Sequence, residues 1–364
     1  MAEKKTQSKY HPLYYLSSLG AGGLTVAFWK LADVTHPTFL TTLGQAVFYL
    51  LALGLFLINL PFWIRALKNT DKFFGIELPP QYSRRRAKKW PPQSPVSSTG
   101  WMAMPAAFAM LLNATFVVLP EFFGLSAKTL APIGFWAWLV VYAITFVLGF
   151  QILFNTFAYT ASLETFHFGL FLQPLTYGLA AVPGVGMAGM LPEPMGDIAL
   201  LLGLTAFGVG GIVGSLALIF IFQRFMTYGF PEPSVAPTSL LLMPSITVYT
   251  IFVLKLLHYM GHHGMTIAPV FLKVLTFTAI GFMGASATLG LIVLLVYFRE
   301  HVPFGPSWWS FVCPFVALSV LSSITYQFGG HLGIFLGSAI LALTVVTLIY
   351  FYVGVKTLKQ LLKS

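Results

Sequence analysis

Residues 303–326 read PFGPSWWSFVCPFVALSVLSSITY, an apolar run with Pro314 in its interior. A helix needs about 20 apolar residues to cross roughly 30 Å of hydrocarbon, and this run is long enough. A proline inside such a helix removes a backbone hydrogen bond and bends the axis. In lipid, the carbonyl it frees must find a neighbour or a water-filled cavity. The same window, moved outward along the chain, gives ten spans, near 13–33, 37–64, 101–120, 130–157, 169–190, 197–223, 236–260, 265–298, 303–326 and 332–355. Odd-numbered spans carry proline or clustered glycine inside: Pro105, Pro174 and Pro183, Pro244, Pro314, and in the first span Gly20, Gly22 and Gly23. Even-numbered spans carry prolines such as Pro61, Pro132 and Pro269 only near their ends. Five kinked helices alternating with five intact ones predict an inner ring around a polar path and an outer ring facing lipid.

The composition fits. The chain is 57% hydrophobic and only 8% charged, with a mean hydropathy of +0.83, which leaves too little charged surface for a soluble fold of this length. Cys313 is the single cysteine, so no intramolecular disulfide is available. The formal charge of +10 invites a nucleic-acid reading, but the positions of the charges point elsewhere. Lys4, Lys5 and Lys9 precede the first span, and a run from Arg65 to Lys89 follows the second. Arg224, Arg299, Lys356, Lys359 and Lys363 fall on the same side. Lys30, Lys128, Lys255 and Lys273 lie on or toward the other. Basic residues concentrate on the cytoplasmic side of membrane proteins, so both termini are expected in the cytoplasm of a multi-pass cell-membrane protein, the inner membrane if bacterial. The basic excess is topological, and no nucleic acid is expected.

The organisation reads as one ten-helix membrane domain over residues 1–364, with one sizeable basic cytoplasmic loop at about 66–100 lying against anionic headgroups. The connections on the opposite side are short, near His36, Glu121–Lys128, Leu191–Asp197, His262 and Gly329–His331. Short connections make consecutive spans antiparallel hairpins. Five such hairpins about an axis give an all-α, pseudo-five-fold bundle with a central pore.

Several motifs resemble the tellurite-resistance/dicarboxylate transporter family, which includes plant slow anion channels and fungal malate and sulfite transporters. Arg224-Phe225, followed by Pro231, Pro233, Ala236-Pro237-Thr238 and Pro244, is similar to that family's Arg-Leu, proline-rich linker, Pro-Thr and in-helix proline. Trp308-Trp309-Ser310-Phe311-Val312-Cys313-Pro314 resembles its Trp-Trp-x-x-x-Phe-Pro pattern, and Gly20-Ala21-Gly22 its Gly-Thr-Gly turn. The resemblance implies a homotrimer with one anion pore per subunit, and small inorganic or organic anions as partners. In the resembled plant channels a Phe occludes the pore where this chain has Cys313. Another aromatic must then close the path, with Phe315 and Phe311 nearest, or gating and selectivity arise by other means.

Two stripes on the ninth span compete for the pore. Phe311, Phe315, Ser319, Ser322 and Tyr326 fall within roughly an 80° arc at 100° per residue, offering hydroxyls and aromatic rings. The other stripe runs through Cys313, Ala317, Val320 and Ile324, which are small and apolar. On the seventh span Thr247, Lys255, His258 and His262 share a face with Pro244. A lysine at mid-bilayer costs about 2.5–3.5 kcal/mol unless it faces water or snorkels, so Lys255 either draws anions into the path or reaches the outer interface. His258 and His262 stand at metal-ligand spacing with His263 beside them, but no Cys, Asp or Glu adjoins them, and no metal is expected. Protonated, they reinforce Lys255.

No phosphate-binding loop, dinucleotide fingerprint, zinc pattern or nucleophile elbow occurs. Neither an enzyme nor an ATP-driven pump is indicated, and no cofactor is expected. The leading reading is a passive anion channel or facilitative transporter. A proton-coupled carrier of C4-dicarboxylate or sulfite is the alternative, with His258, His167 or Glu164 as the titratable groups. A haem-binding membrane anchor is more distant, because the histidines cluster at one end rather than facing each other across helices.

Overall fold

The computed structural model describes residues 11–68, 99–158, 163–297 and 302–363, and every regular element among them is helical. Ten long helices follow in chain order: α1 (Tyr15–Thr35), α2 (Phe39–Lys68), α3 (Ala103–Phe123), α4 (Ala127–Ala158), α5 (Leu172–Ala188), α6 (Met195–Tyr228), α7 (Leu242–His262), α8 (Pro269–Tyr297), α9 (Val312–Phe328) and α10 (Gly333–Lys363). Among the described residues, α2 to α10 lie in nine stretches apolar and long enough to cross a membrane. In α1, Ser17, Ser18, three glycines and Lys30 dilute the apolar content. It is buried instead on every side from Tyr15 to Thr25. The basic stretch expected at about 66–100 lies, over residues 69–98, outside the described residues.

Each odd helix turns into its even successor through no more than six residues, and the two pack together. The odd helices also pack on one another: α1 on α3, α3 on α5, α5 on α7, α7 on α9, and α9 back on α1. That sequence of contacts closes a ring. Burial separates the two layers. The spans holding α3, α5, α7 and α9 bury 50–100% of their most apolar stretch, whereas those of the even helices bury 22–39%. Apolar side chains on the even helices, such as Ile133, Ile212 and Phe282, face outward, where lipid can cover them.

The odd helices share a second mark. Each is preceded by a 3₁₀ segment, at Pro12–Tyr14, Thr99–Met102, Phe168–Phe171, Pro233–Leu240 and Pro306–Phe311, and no even helix is. Pro105, Pro174, Pro244 and Pro314 each stand third in their α-helix, directly after this lead-in. In α1 the same place is held by Ser17, whose Oγ donates to the Tyr14 carbonyl at 2.6 Å. These prolines therefore do not bend the middle of a helix. The N–H groups of a first turn have no intrahelical acceptor, so a residue without one is tolerated there. Prolines inside a helix proper are Pro61 in α2, Pro120 in α3, Pro132 in α4 and Pro183 in α5, which divides them between the layers. Clustered glycine is not confined to odd helices either, since α6 carries Gly203, Gly208, Gly210, Gly211 and Gly214. The expected parity is corrected accordingly: 3₁₀ lead-ins and burial carry it.

Close approach explains the inner glycines. A Cβ on Gly20 would stand 2.7 Å from Cγ1 of Val312, and one on Gly23 2.9 Å from Cγ1 of Val316, so α1 and α9 touch through missing side chains. Likewise a Cβ on Gly184 of α5 would meet the Ala199 carbonyl of α6 at 2.8 Å. Lipid tails are as apolar as leucine, so helices in a bilayer associate by such packing rather than by hydrophobic exclusion.

Candidate functional site

A narrow cavity of about 60 Å³ lies where the five odd helices converge. From α1 it takes Leu19, Gly20, Gly23 and Val26, and from α7 Pro244, Thr247, Val248 and Ile251. The α9 wall is Cys313, Val316, Ala317 and Val320, with Met110 from α3 and Leu175 and Leu179 from α5 completing the ring. On α1, α5, α7 and α9 these positions recur at three- and four-residue steps, the repeat of a single helical face. None of the bordering side chains is aromatic, and the Thr247 hydroxyl already donates to the carbonyls of Met243 at 3.4 Å and Ala317 at 3.3 Å. The enclosed space has room for a few waters but offers them almost no partners, a poor site for water.

On α9 the small apolar stripe faces this cavity, and the aromatic and hydroxyl stripe does not. Ser319 Oγ donates to the Ala339 carbonyl of α10 at 2.9 Å, which turns it outward. Phe315 packs between two clusters of core side chains, Phe311 stands edge-on to Trp308 at 5.7 Å, and Tyr326 stands edge-on to His331 at 5.0 Å. Ser322 and Pro314 are buried without bordering the cavity. Cys313 does border it, as do Pro244 and Thr247. Pro105, Pro174 and Pro183 do not. The Trp-Trp motif anchors the lead-in of α9 on α10, with Trp309 edge-on to Tyr350 at 5.2 Å.

Followed away from the 3₁₀ lead-ins, the same faces become charged. On α7 the step from Ile251 leads to Lys255, His258 and His262; on α1 the step from Val26 leads to Lys30. On α9 it leads past Ile324 to Gln327. Lys255 Nζ lies 2.9 Å from the place a Cβ on Gly186 would occupy, so its ammonium rests across the glycine notch of α5. Lys30 Nζ donates to Asp33 Oδ2 at 2.6 Å and to Gln327 Oε1 at 2.7 Å, tying α1 to α9. That is the single ion pair found among the described residues, and Lys255 has none. Lys30 was not singled out by the sequence reading. The signal was present in the face through Gly23 and Val26, which reaches it one turn later.

At the other end, Arg224 and the segment that follows it hold the bundle together. Arg224 Nε donates to the Glu164 carbonyl at 3.3 Å and Nη1 to the Gly229 carbonyl, which fastens the end of α6 to the approach to α5. His167 Nδ1 accepts from the Gly169 N–H at 3.0 Å and lies 3.4 Å from Thr238 Oγ1. Burial, and then the nearby Arg224 charge, push the His167 imidazole down to about 4. That shift favours the neutral imidazole, whose Nδ1 is already engaged with the Gly169 N–H. Glu164 is exposed, and its backbone carbonyl rather than its carboxylate meets Arg224.

Among the described residues, no group of three or more His, Cys, Asp or Glu side chains is placed to hold a metal ion. No curated protein matches the chain. A family model described as voltage-dependent anion channel matches residues 9–358, nearly its full length. With ten long helices, nine of the described stretches apolar enough to span a bilayer, and this match over almost every residue, the chain belongs to the voltage-dependent anion channel family of membrane anion channels and transporters.

Proposed function

We propose that small anions pass passively along the axis of the odd-helix ring, drawn in by Lys255 and held back by an aliphatic constriction rather than an aromatic plug. One observation carries the reading: the path narrows to a cavity bordered by all five odd helices, on a line that ends at a lysine without an acidic partner among the described residues. A basic residue beside a water-filled mouth raises the local anion concentration. The helices α5, α7 and α9 each contribute a bordering residue from their first turn, so the positive ends of three helix dipoles lie close to it. A constriction of leucine, isoleucine, valine and methionine side chains closes by excluding water, and no ring need swing across it.

Cys313, Thr247 and Pro244 act in this reading as wall, and Lys255 and His258 as mouth. Phe311, Phe315, Ser319, Ser322 and Tyr326 support α9 from behind. The termini stay on the cytoplasmic side of the cell membrane, where basic residues are concentrated. The pore is complete within one chain, so a homotrimer would carry three of them. Dicarboxylate, sulfite, malate and tellurite-related oxyanions are the larger candidate substrates, with chloride and nitrate the smaller.

The test is flux into proteoliposomes under imposed voltage, exchanging chloride, nitrate, sulfite and malate in turn, with Lys255→Ala beside the native chain. Passive passage predicts flux that follows the imposed voltage without a proton gradient, and a several-fold fall for Lys255→Ala at low chloride that narrows as chloride saturates. Flux that requires an imposed proton gradient sinks the passive reading in favour of a carrier. Equal flux in the two proteins at every chloride concentration removes Lys255 from the path.

A further inference from the structure

We propose that His258 and His262 form a surface chelate for a divalent transition-metal ion, copper or nickel before zinc, at the mouth of the anion path. The two residues stand one turn apart on the last stretch of α7, and their Nε2 atoms lie 2.9 Å apart with the rings nearly perpendicular. Two nitrogens bound to one ion at about 2.0–2.1 Å are about 2.9 Å apart when they subtend a right angle, and nearer 3.3 Å at a tetrahedral angle. The observed separation suits adjacent corners of a tetragonal site, the geometry of Cu²⁺ and Ni²⁺ with nitrogen and oxygen ligands. The pair also stands at i and i+4, the spacing of paired histidine ligands on a metal-binding helix.

Without metal, the same contact is an imidazole hydrogen bond in which one Nε2–H donates to the other ring. The donor ring frees its Nε2 for a metal by carrying that proton on its own Nδ1 instead, so the hydrogen bond can give way to an ion without a proton being lost. His258 and His262 are exposed, leaving the remaining coordination positions to water or to a passing anion. His263 Nδ1 faces the Tyr259 carbonyl at 2.9 Å, and among the described residues it is not grouped with the pair as a third ligand. With no third donor near, and the Lys255 ammonium one turn below, the site is weak and reversible. Its place matters because the face through Ile251 and Lys255 continues to both histidines, so a bound ion that holds an anion as a ligand slows its passage. This last step rests on the proposed path; the binding itself does not.

The experiment is a Cu²⁺ titration of the full chain, freed of any affinity tag, read by electron paramagnetic resonance, with His258→Gln and His262→Ala as variants and His331→Ala as control. One saturable Cu²⁺ per chain is expected, with splitting from two nitrogens in the native protein and in His331→Ala. Affinity should fall at least tenfold, with the two-nitrogen signature lost, in each of the other variants. Both substituted side chains are exposed, and an unchanged thermal transition without metal verifies the fold. A native spectrum retained in His262→Ala, or no saturable binding to the native chain, overturns the site. Flux with and without Cu²⁺, normalised to each protein's own metal-free value, tests the location: inhibition confined to the native chain and His331→Ala supports the mouth, whereas full occupancy with unchanged flux overturns that placement.

Discussion

At the scale of single residues, the proposed constriction turns on volume and polarity. Cys313 borders a space of about 60 Å³, and a phenyl ring in its place fills most of it. Cys313→Phe is therefore expected to reduce anion flux below the native level. Leu179→Ser, on the facing helix, gives water a partner inside the constriction and should raise basal flux several-fold in the same proteoliposome measurement. Phe315→Ala behaves differently from what an occluding ring would show. Its side chain fills the seam between two core clusters, so the change should lower the melting temperature and leave basal flux near native. A large rise in flux from Phe315→Ala would put an aromatic gate back on α9. His167 supplies a prediction in pH. Its folded value of about 4 lies below the ordinary 6.5, so between those values the unfolded chain binds the extra proton. The stability it confers is complete above about pH 6.5 and lost progressively as pH falls toward 4. Melting temperatures of His167→Gln and native protein across that window should converge on acidification; parallel curves would show that His167 does not titrate there.

At the scale of elements, the decisive contact is between α1 and α9. Both border the cavity, and they approach through Gly20 and Gly23 against Val312 and Val316. Gly20→Val places methyl groups where Val312 already stands and forces the two helices apart, an overpacking cost of about 1–3 kcal/mol. A lowered melting temperature is expected, partly restored in the double variant Gly20→Val, Val312→Ala. If the second change gives no recovery, the glycine acts through backbone conformation rather than through this contact. The 3₁₀ lead-ins explain why proline is so frequent at the start of odd helices. Pro105, Pro174, Pro244 and Pro314 sit where the missing N–H costs nothing, and their fixed φ helps to set the transition from 3₁₀ to α.

Across the whole molecule, the proposed path assigns the sign of the permeant ion to the charge distribution. Two lysines continue the lining faces at one end, but Asp33 neutralises Lys30 while Lys255 has no acidic partner among the described residues. Reversal potentials in a salt gradient should therefore respond unequally. Lys255→Glu is expected to diminish anion selectivity strongly, and Lys30→Gln only slightly. Equal shifts would mean that Asp33 does not offset Lys30 and that both lysines contribute alike. The effect of Lys255→Glu should also shrink as salt rises, since fixed charge at a wet mouth is screened over about 10 Å at 0.1 M.

Apolar run lengths marked ten spans, with boundaries to within a few residues at most ends, and short connections marked their pairing into hairpins, because a bilayer imposes length and backbone satisfaction on any chain that crosses it. The family was legible too, in Arg224 with its proline-rich sequel and in the Trp-Trp motif. Which face of α9 borders the cavity was not. Two stripes on one helix have the same periodicity, and only the neighbours distinguish them: Ala339 captures the Ser319 hydroxyl on one side, while Gly23 and Thr247 leave room beside Cys313 and Ala317 on the other. The prolines misled for a related reason, since a span read from hydropathy does not reveal that its first turns are 3₁₀ and that the proline stands third in the α-helix. Only the tertiary structure decided that Lys255 and Lys30 continue the cavity-lining faces toward one end and that no aromatic borders the cavity. Those facts depend on how five helices meet, and no single helix encodes them.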